Sequence, residues 1–402
     1  MYTRIIGLLL LLITLDGFAH QTFDSTEHDP IINLNTAADN IPLLTGEITD
    51  LLKIDHQNKQ PQKPLQLLNT IVPPAKTERL FWQPNQGLDD LTLPTPVLVV
   101  NGARTGPVLC LTAAIHGDEL NGIEIVRRIL HGIDPEELSG VVIGVPIVNL
   151  QGFQRTSRYL TDRRDLNRFF PGQSQGNSAA RIAHSFFNDI VQHCQFLVDL
   201  HTGSAHRDNL PQIRANLHHP DAAAFAQAFG MPVILHNEGT EGMLRKAALD
   251  IGIPSVTLEA GKSLTFQEEA IKYGVKSIRT LLSNLTMLES DSSWDKLESI
   301  YYHSAWVRVD HGGILFSTVE LGDQITKNKV LGVVTNPITN IRSEIISPYN
   351  GKVIGRAIDQ VVMPGFAGFH IGIQESEEKV ARIGGKIRKP PNNQSIIAFE
   401  SE

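Results

Sequence analysis

Between residues 94 and 285 the chain alternates short apolar runs with segments of helical period, and that alternation leaves few architectures open. Runs rich in Val, Ile and Leu at 96–100, 108–114, 141–148, 196–200, 232–235 and 254–258 read as strands. Helical spacing occupies the stretch ending at His131, then 179–193, 222–229, 241–251 and 266–285. Strands separated by helices cannot pair as simple hairpins. They predict an α/β fold, a mixed or parallel sheet with helices on both faces. After residue 290 the texture changes. Residues 300–374 are rich in Val, Ile and Gly, with closely spaced turn signals such as His311-Gly312-Gly313 and Asn350-Gly351, and read as a small C-terminal all-β domain. Residues 20–93 are polar and Pro-punctuated, an expected irregular extension with room for one strand or short helix, ahead of a compact domain at 94–290, and 375–402 read as a polar tail.

Polar residues that follow the predicted strands carry the functional information. His116 and Glu119 come after the run ending at Ala114, where a strand gives way to a helix. His201 directly follows 196–200, and Glu259 directly follows 254–258. Ligands of open α/β sheets gather outside the carboxyl ends of the strands. If these strands are parallel, all four residues share one rim. A lone His-x-x-Glu arises by chance, but four coincidences at equivalent strand ends are less economical than one site. Two imidazoles and a carboxylate suit zinc, leaving a fourth position for water, and a further carboxylate can move a proton. The loop after 148 adds Arg158, Asp165, Asn167 and Arg168. Its arginines suit a carboxylate, which a planar guanidinium grips through two parallel bonds.

Other classes are disfavoured. A net charge of −8 argues against a nucleic-acid partner, which requires a basic face. Arg4, the apolar run 5–15, and the small residues Gly17 and Ala19 have the layout of a secretory signal peptide over 1–19, so a periplasmic or secreted protein is expected. That run is shorter than the roughly 20 apolar residues of a membrane span. The two cysteines, Cys110 and Cys194, border apolar runs and are expected to be buried free thiols.

Four motifs together, His116-Gly117-Asp118-Glu119, Asp165-Leu166-Asn167-Arg168, Asp199-Leu200-His201-Thr202-Gly203 and Thr257-Leu258-Glu259-Ala260-Gly261, resemble those of the succinylglutamate desuccinylase/aspartoacylase family. The resemblance covers about 94–374 and implies a zinc carboxypeptidase-like fold. It implies one zinc ion per chain on His116, Glu119 and His201, and Glu259 as general base and acid. Asn167 and Arg168 would hold a substrate carboxylate, and Arg158 would stabilise the oxyanion. Arg214 and Arg245 are further candidate substrate contacts. The implied activity is hydrolysis of an amide in a small molecule with a free carboxylate, of the N-acyl amino acid deacylase type. An exported metallocarboxypeptidase acting on peptides, including cell-wall peptides, would use the same rim. An inactive binding module would keep the fold, against which the intact ligand set and Glu259 speak. Ser347 to Gly355 is similar to half of a biotinyl/lipoyl-like barrel, but Lys352 lacks the setting of a carrier lysine, so no swinging-arm cofactor is expected.

Overall fold

A computed structural model describes Leu52 and residues 60–84, 94–204, 206–289, 299–358 and 360–373. The expected signal peptide at 1–19 and the polar tail at 375–402 lie outside the described residues. The N-terminal part contains β1 (Leu65–Leu67), β2 (Thr70–Val72), β3 (Lys76–Trp82), β4 (Thr95–Asn101) and β5 (Arg104–Ala113), followed by α1 (Asn121–His131), β6 (Ser139–Val145) and α2 (Leu150–Gln154). The middle continues with α3 (Ser178–Asp189), β7 (Phe196–Gly203), β8 (Arg207–Ala215), α4 (Pro220–Gln227), β9 (Val233–His236), α5 (Leu244–Asp250), β10 (Ser255–Lys262) and α6 (Glu268–Asn284). The C-terminal part is all strand: β11 (Ser299–Tyr301), β12 (His303–Arg308), β13 (Gly313–Ser317), β14 (Gln324–Ile325), β15 (Val330–Thr335), β16 (Arg342–Ile346), β17 (Gly351–Ala357), β18 (Gln360–Val362) and β19 (Ala367–Ile373).

A mixed sheet of thirteen strands runs through these elements in the order β12-β19-β17-β8-β10-β7-β5-β6-β4-β3, with β9, β11 and β14 on side branches. Its centre is parallel: β5 pairs with β6 and β7, and β7 with β10. The rim argued from sequence therefore exists. Alternation along each strand divides the core in two. Leu109, Leu111 and Ala113 of β5, with Val198 and Leu200 of β7 and Val256 and Leu258 of β10, pack beneath α1, α4 and α6. Cys110 and Leu197 face the other way, with Ile182 and Phe186 of α3 and Leu244 and Ala248 of α5. On that second face the register aligns Thr112 with Asp199 and Thr257, and His201 with Glu259. Chemistry-bearing side chains thus end up neighbours although they are far apart in sequence.

Three expectations need correction. The stretch 20–93 carries more than one strand: β1 pairs with β2, β3 hydrogen-bonds along β4 at the edge of the main sheet, and Trp82 is buried with its indole N–H donating to the Ser185 hydroxyl at 3.0 Å. Lys76 to Arg79 hid the strand β3, because all four are polar and exposed and carry no apolar period. The C-terminal β region is all strand, as expected, and has an apolar cluster of its own, but it is not separate from the main sheet. Strands β12, β17 and β19 extend the main sheet through the antiparallel β17–β8 pairing, while β13, β15, β16 and β18 form a separate four-stranded sheet. Lastly, Cys110 and Cys194 form a disulfide rather than two free thiols, their Cα atoms 5.7 Å apart across 84 residues of sequence.

A crosslink closing so long a loop restricts the unfolded chain strongly. Reducing it, or replacing both cysteines by alanine, is expected to destabilise the fold by about 2–5 kcal/mol. Thermal unfolding with and without reductant checks this, and an unchanged midpoint would contradict it.

Candidate active site

The site is built where β5 ends. Ala114 takes a left-handed backbone conformation (φ 50°), which turns the chain sharply off the sheet before His116. Gly117 is required by close approach: a Cβ there would lie 2.1 Å from the backbone of Gly152 and Phe153. This tight turn places His116 and Glu119 over the ends of β5 and β7. His201 needs no turn, because it lies within β7 and faces the same side as Asp199 two residues earlier.

Both imidazoles turn the same ring nitrogen toward one carboxylate. His116 Nδ1 lies 2.8 Å from Glu119 Oε1, and His201 Nδ1 lies 2.9 Å from Glu119 Oε2. The rings meet edge to face with centroids 4.9 Å apart. The Nε2 atoms point outward onto carboxylates of their own, His116 to Asp165 Oδ1 at 3.2 Å and His201 to Asp199 Oδ2 at 2.8 Å. Asp199 is fixed in turn by the Thr112 hydroxyl, which donates to Oδ1 at 2.8 Å. Asp165 caps the short 3₁₀ turn Leu166–Arg168 by accepting from the Asn167 N–H at 2.9 Å. Carboxylates on the distal nitrogens orient the rings and make them more basic, the usual support for histidines that bind a metal. One donor atom each from His116, Glu119 and His201 lies within 4.8 Å of the others, and all three side chains are buried. The donor set fits a divalent metal of borderline softness.

Electrostatics follow from burial and pairing. Burial alone would push both imidazoles toward the neutral form. The Glu119 charge and hydrogen bonds to Asp165 and Glu119 outweigh it at His116, and Asp199 and Glu119 do so at His201, so both pKa values are raised. For Glu119 burial pushes upward, but the two histidines pull its carboxyl well below the usual range. Burial first, and then the Glu119 charge, raise the pKa of Asp118.

A cleft of about 330 Å³, open mouth included, lies over these residues. It is lined by His116, Glu119, Arg158, His201, Thr202, Gly203, Ser204, Arg207, Asn209, Arg214, Glu259 and Trp306. Glu259 is buried, with Asn209 Nδ2 donating to its Oε2 at 2.9 Å and Arg214 Nη1 3.4 Å from its Oε1. Arg158 bridges two acids, with Nη2 2.9 Å from Asp165 Oδ2 and Nη1 3.3 Å from Glu119 Oε1.

The structure thus brings His116, Glu119, His201, Glu259, Arg158 and Arg214 into one cavity. The other three candidates do not line it. Asn167 is buried and accepts from the Leu244 N–H at 2.8 Å, and Arg168 donates from Nη1 to the Asn167 carbonyl at 3.0 Å. Arg245 donates to the carbonyl and side-chain oxygens of Asn237, which ties α5 to the end of β9. Sequence reasoning had not assigned roles to Asp165, Asp199, Asn209, Arg207 or Trp306. Asp199 was detectable, since in a strand it shares a face with His201. Trp306 was not, because only the β17–β8 pairing carries it to the rim.

The comparisons agree with this geometry. Residues 105–285 match the succinylglutamate desuccinylase/aspartoacylase catalytic domain, the family whose motifs the sequence resembles. Among curated relatives, the N-alpha-acetyl-L-2,4-diaminobutyric acid deacetylase of Halomonas elongata is 29% identical over 253 residues, covering 60% of this chain and 73% of the relative. The succinylglutamate desuccinylase of Ectopseudomonas mendocina is 27% identical over 239 residues, covering 55% of this chain and 68% of the relative. The fold is shared with the product-bound ectoine utilization protein EutE (DoeB) of Ruegeria pomeroyi, at a TM-score of 0.67 and 22% identity over 78% of this chain and all (100%) of that one.

With both histidine pKa values raised, protons compete with a metal for these rings. Titrating metal-free protein with a divalent metal such as zinc is expected to release protons, and affinity should fall as pH drops. Calorimetry in buffers of different ionisation enthalpy measures both. A pH-independent affinity with no proton release would contradict the arrangement.

Proposed function

We propose that the protein is a zinc-dependent amidohydrolase that removes the acyl group from an N-acyl amino acid with a free carboxylate. The supporting observation is the shared Glu119 carboxylate between two imidazoles, each backed by an aspartate, in the cavity that also holds Glu259. His116, Glu119 and His201 would hold the ion. When bound, zinc supplies Lewis acidity, polarising a carbonyl oxygen and acidifying a water molecule.

This chain's own residues carry the remaining steps. Glu259 takes the proton of the attacking water and delivers it to the departing nitrogen. Asn209 and Arg214, both on its carboxylate, hold it in position for the two transfers. Arg158 contributes positive charge where the carbonyl oxygen becomes anionic, its orientation fixed by Asp165. Asp165 and Asp199 keep the imidazoles turned inward. The names of the two curated relatives, a deacetylase and a desuccinylase, favour an acyl amino acid over a peptide. Export to an oxidising compartment is part of the same proposal. The Cys110–Cys194 disulfide supports it, because such bonds persist where glutathione does not reduce them.

Glu259→Gln is expected to lower kcat on N-acyl amino acids by roughly 10²–10⁴-fold, the usual worth of a positioned acid–base group. Zinc content should stay at the wild-type level. The assay compares Nα-acetyl-L-2,4-diaminobutyrate, N-succinyl-L-glutamate and short peptides. Near wild-type turnover by the zinc-loaded variant would refute the role of Glu259, and peptide hydrolysis alone would refute the deacylase reading.

A further inference from the structure

Of the three arginines that line the cavity, two are committed to acids: Arg158 to Glu119 and Asp165, and Arg214 to Glu259. Arg207 has no carboxylate partner among the described residues. Its guanidinium carbon sits 4.9 Å from the ring centre of Trp306 and 5.1 Å from that of Phe366. Its Nε donates to the Ala367 carbonyl at 3.4 Å. Trp306 is itself held from behind. Its indole stacks on His370, the register partner across β12 and β19, with centroids 4.5 Å apart and planes 9° from parallel. His370 Nε2 is anchored 2.8 Å from the Ser304 hydroxyl.

Such confinement has a consequence. An arginine loses much side-chain freedom when it grips an anion. Here the ring contacts and the bond to Ala367 hold the stem, while the terminal N–H groups have no acceptor among the described residues. We propose that Arg207 is the carboxylate-recognising residue of this cavity, clamped for that task by Trp306 and Phe366 of the C-terminal β region. The proposal rests on the deacylase reading above and names the residue that selects its substrate. The residues that the sequence pattern put forward for this role, Asn167 and Arg168, sit outside the lining and are engaged with Leu244 and with each other. Neighbouring charge points the same way. Burial first, and then the nearby Arg308 and Arg158, depress the Arg207 pKa, as for a cation surrounded by cations rather than by acids. A bound carboxylate would supply the missing counter-charge. The C-terminal strands then have a function beyond scaffolding, since they set the angle of the selecting guanidinium.

The test compares an acid with its neutral analogue. Nα-acetyl-L-2,4-diaminobutyrate and its primary carboxamide are assayed on zinc-loaded wild-type, Arg207→Gln, Arg207→Lys and Trp306→Leu proteins. Loss of a charge-assisted, two-bond contact should reduce kcat/KM of Arg207→Gln on the acid by roughly 10–100-fold, with little change on the carboxamide. Arg207→Lys should recover part of the loss. Trp306→Leu should raise KM for the acid while leaving kcat near wild type, a split that general destabilisation would not give. Equal losses on both compounds, or no loss on the acid, would overturn the assignment. If wild-type protein hydrolyses neither compound, the deacylase reading fails for this substrate, and calorimetric binding of the same pair decides on Arg207. A preference for the acid that disappears in Arg207→Gln supports the assignment, and no preference in wild type overturns it.

Discussion

Everything at the rim depends on a buried carboxylate, Glu119, shared by two imidazoles. A carboxylate removed from water is costly unless its oxygens are satisfied. Here each oxygen has its own ring nitrogen, and Oε2 also accepts from the Thr202 N–H at 3.1 Å. The rings in turn need partners for their outer nitrogens, which Asp165 and Asp199 provide. Arg158 and Thr112 complete the next layer. The chain Thr112–Asp199–His201–Glu119–His116–Asp165–Arg158 is therefore one connected polar network set into an apolar fold. Removing any member leaves a neighbour buried without its counterpart.

The architecture explains why such a network can form. Three parallel strands, β5, β7 and β10, end together, and their register puts Thr112, Asp199 and Thr257 in one row and His201 beside Glu259 in the next. Apolar alternation on the opposite face buries α1, α4 and α6 and locks that register, because a one-residue slip would expose the core. The disulfide from Cys110, past the middle of β5, to Cys194, just ahead of β7, ties two of the three strands. His201 and Glu259 thus sit on strands, while His116 and Glu119 sit on the tight turn that follows β5. The remaining wall comes from β8 and the C-terminal strands, joined by the β17–β8 pairing that brings Arg207 opposite Ala357.

How much of this could be read from the sequence followed from how local each feature was. The central strands and helices were legible because each carries its own apolar period, and the parallel rim followed from their alternation. His116, Glu119, His201 and Glu259 were legible because each comes at or just after the end of such a run. Strand β8 was not. Asp208, Asn209, Gln212 and Arg214 interrupt its apolar pattern because several of them face the cavity, and Pro211 argues against a strand. β3 was missed because Lys76 to Arg79 are polar and exposed. The cysteine pairing and the place of Trp306 depend on long-range packing, which spacing along a chain does not encode. Asn167 and Arg168, put forward by residue type and by the Asp165–Arg168 motif, lie outside the cavity lining, where Asn167 accepts from the Leu244 N–H and Arg168 donates to the Asn167 carbonyl.

X-ray absorption at the zinc edge of purified, zinc-loaded protein tests the central claim most directly, since it reads the ion's immediate neighbours without relying on turnover. The account predicts one zinc per chain with two imidazole nitrogens and carboxylate oxygen in its first shell, and loss of one imidazole in His201→Ala. A shell lacking imidazole, or one unchanged by that substitution, would contradict it.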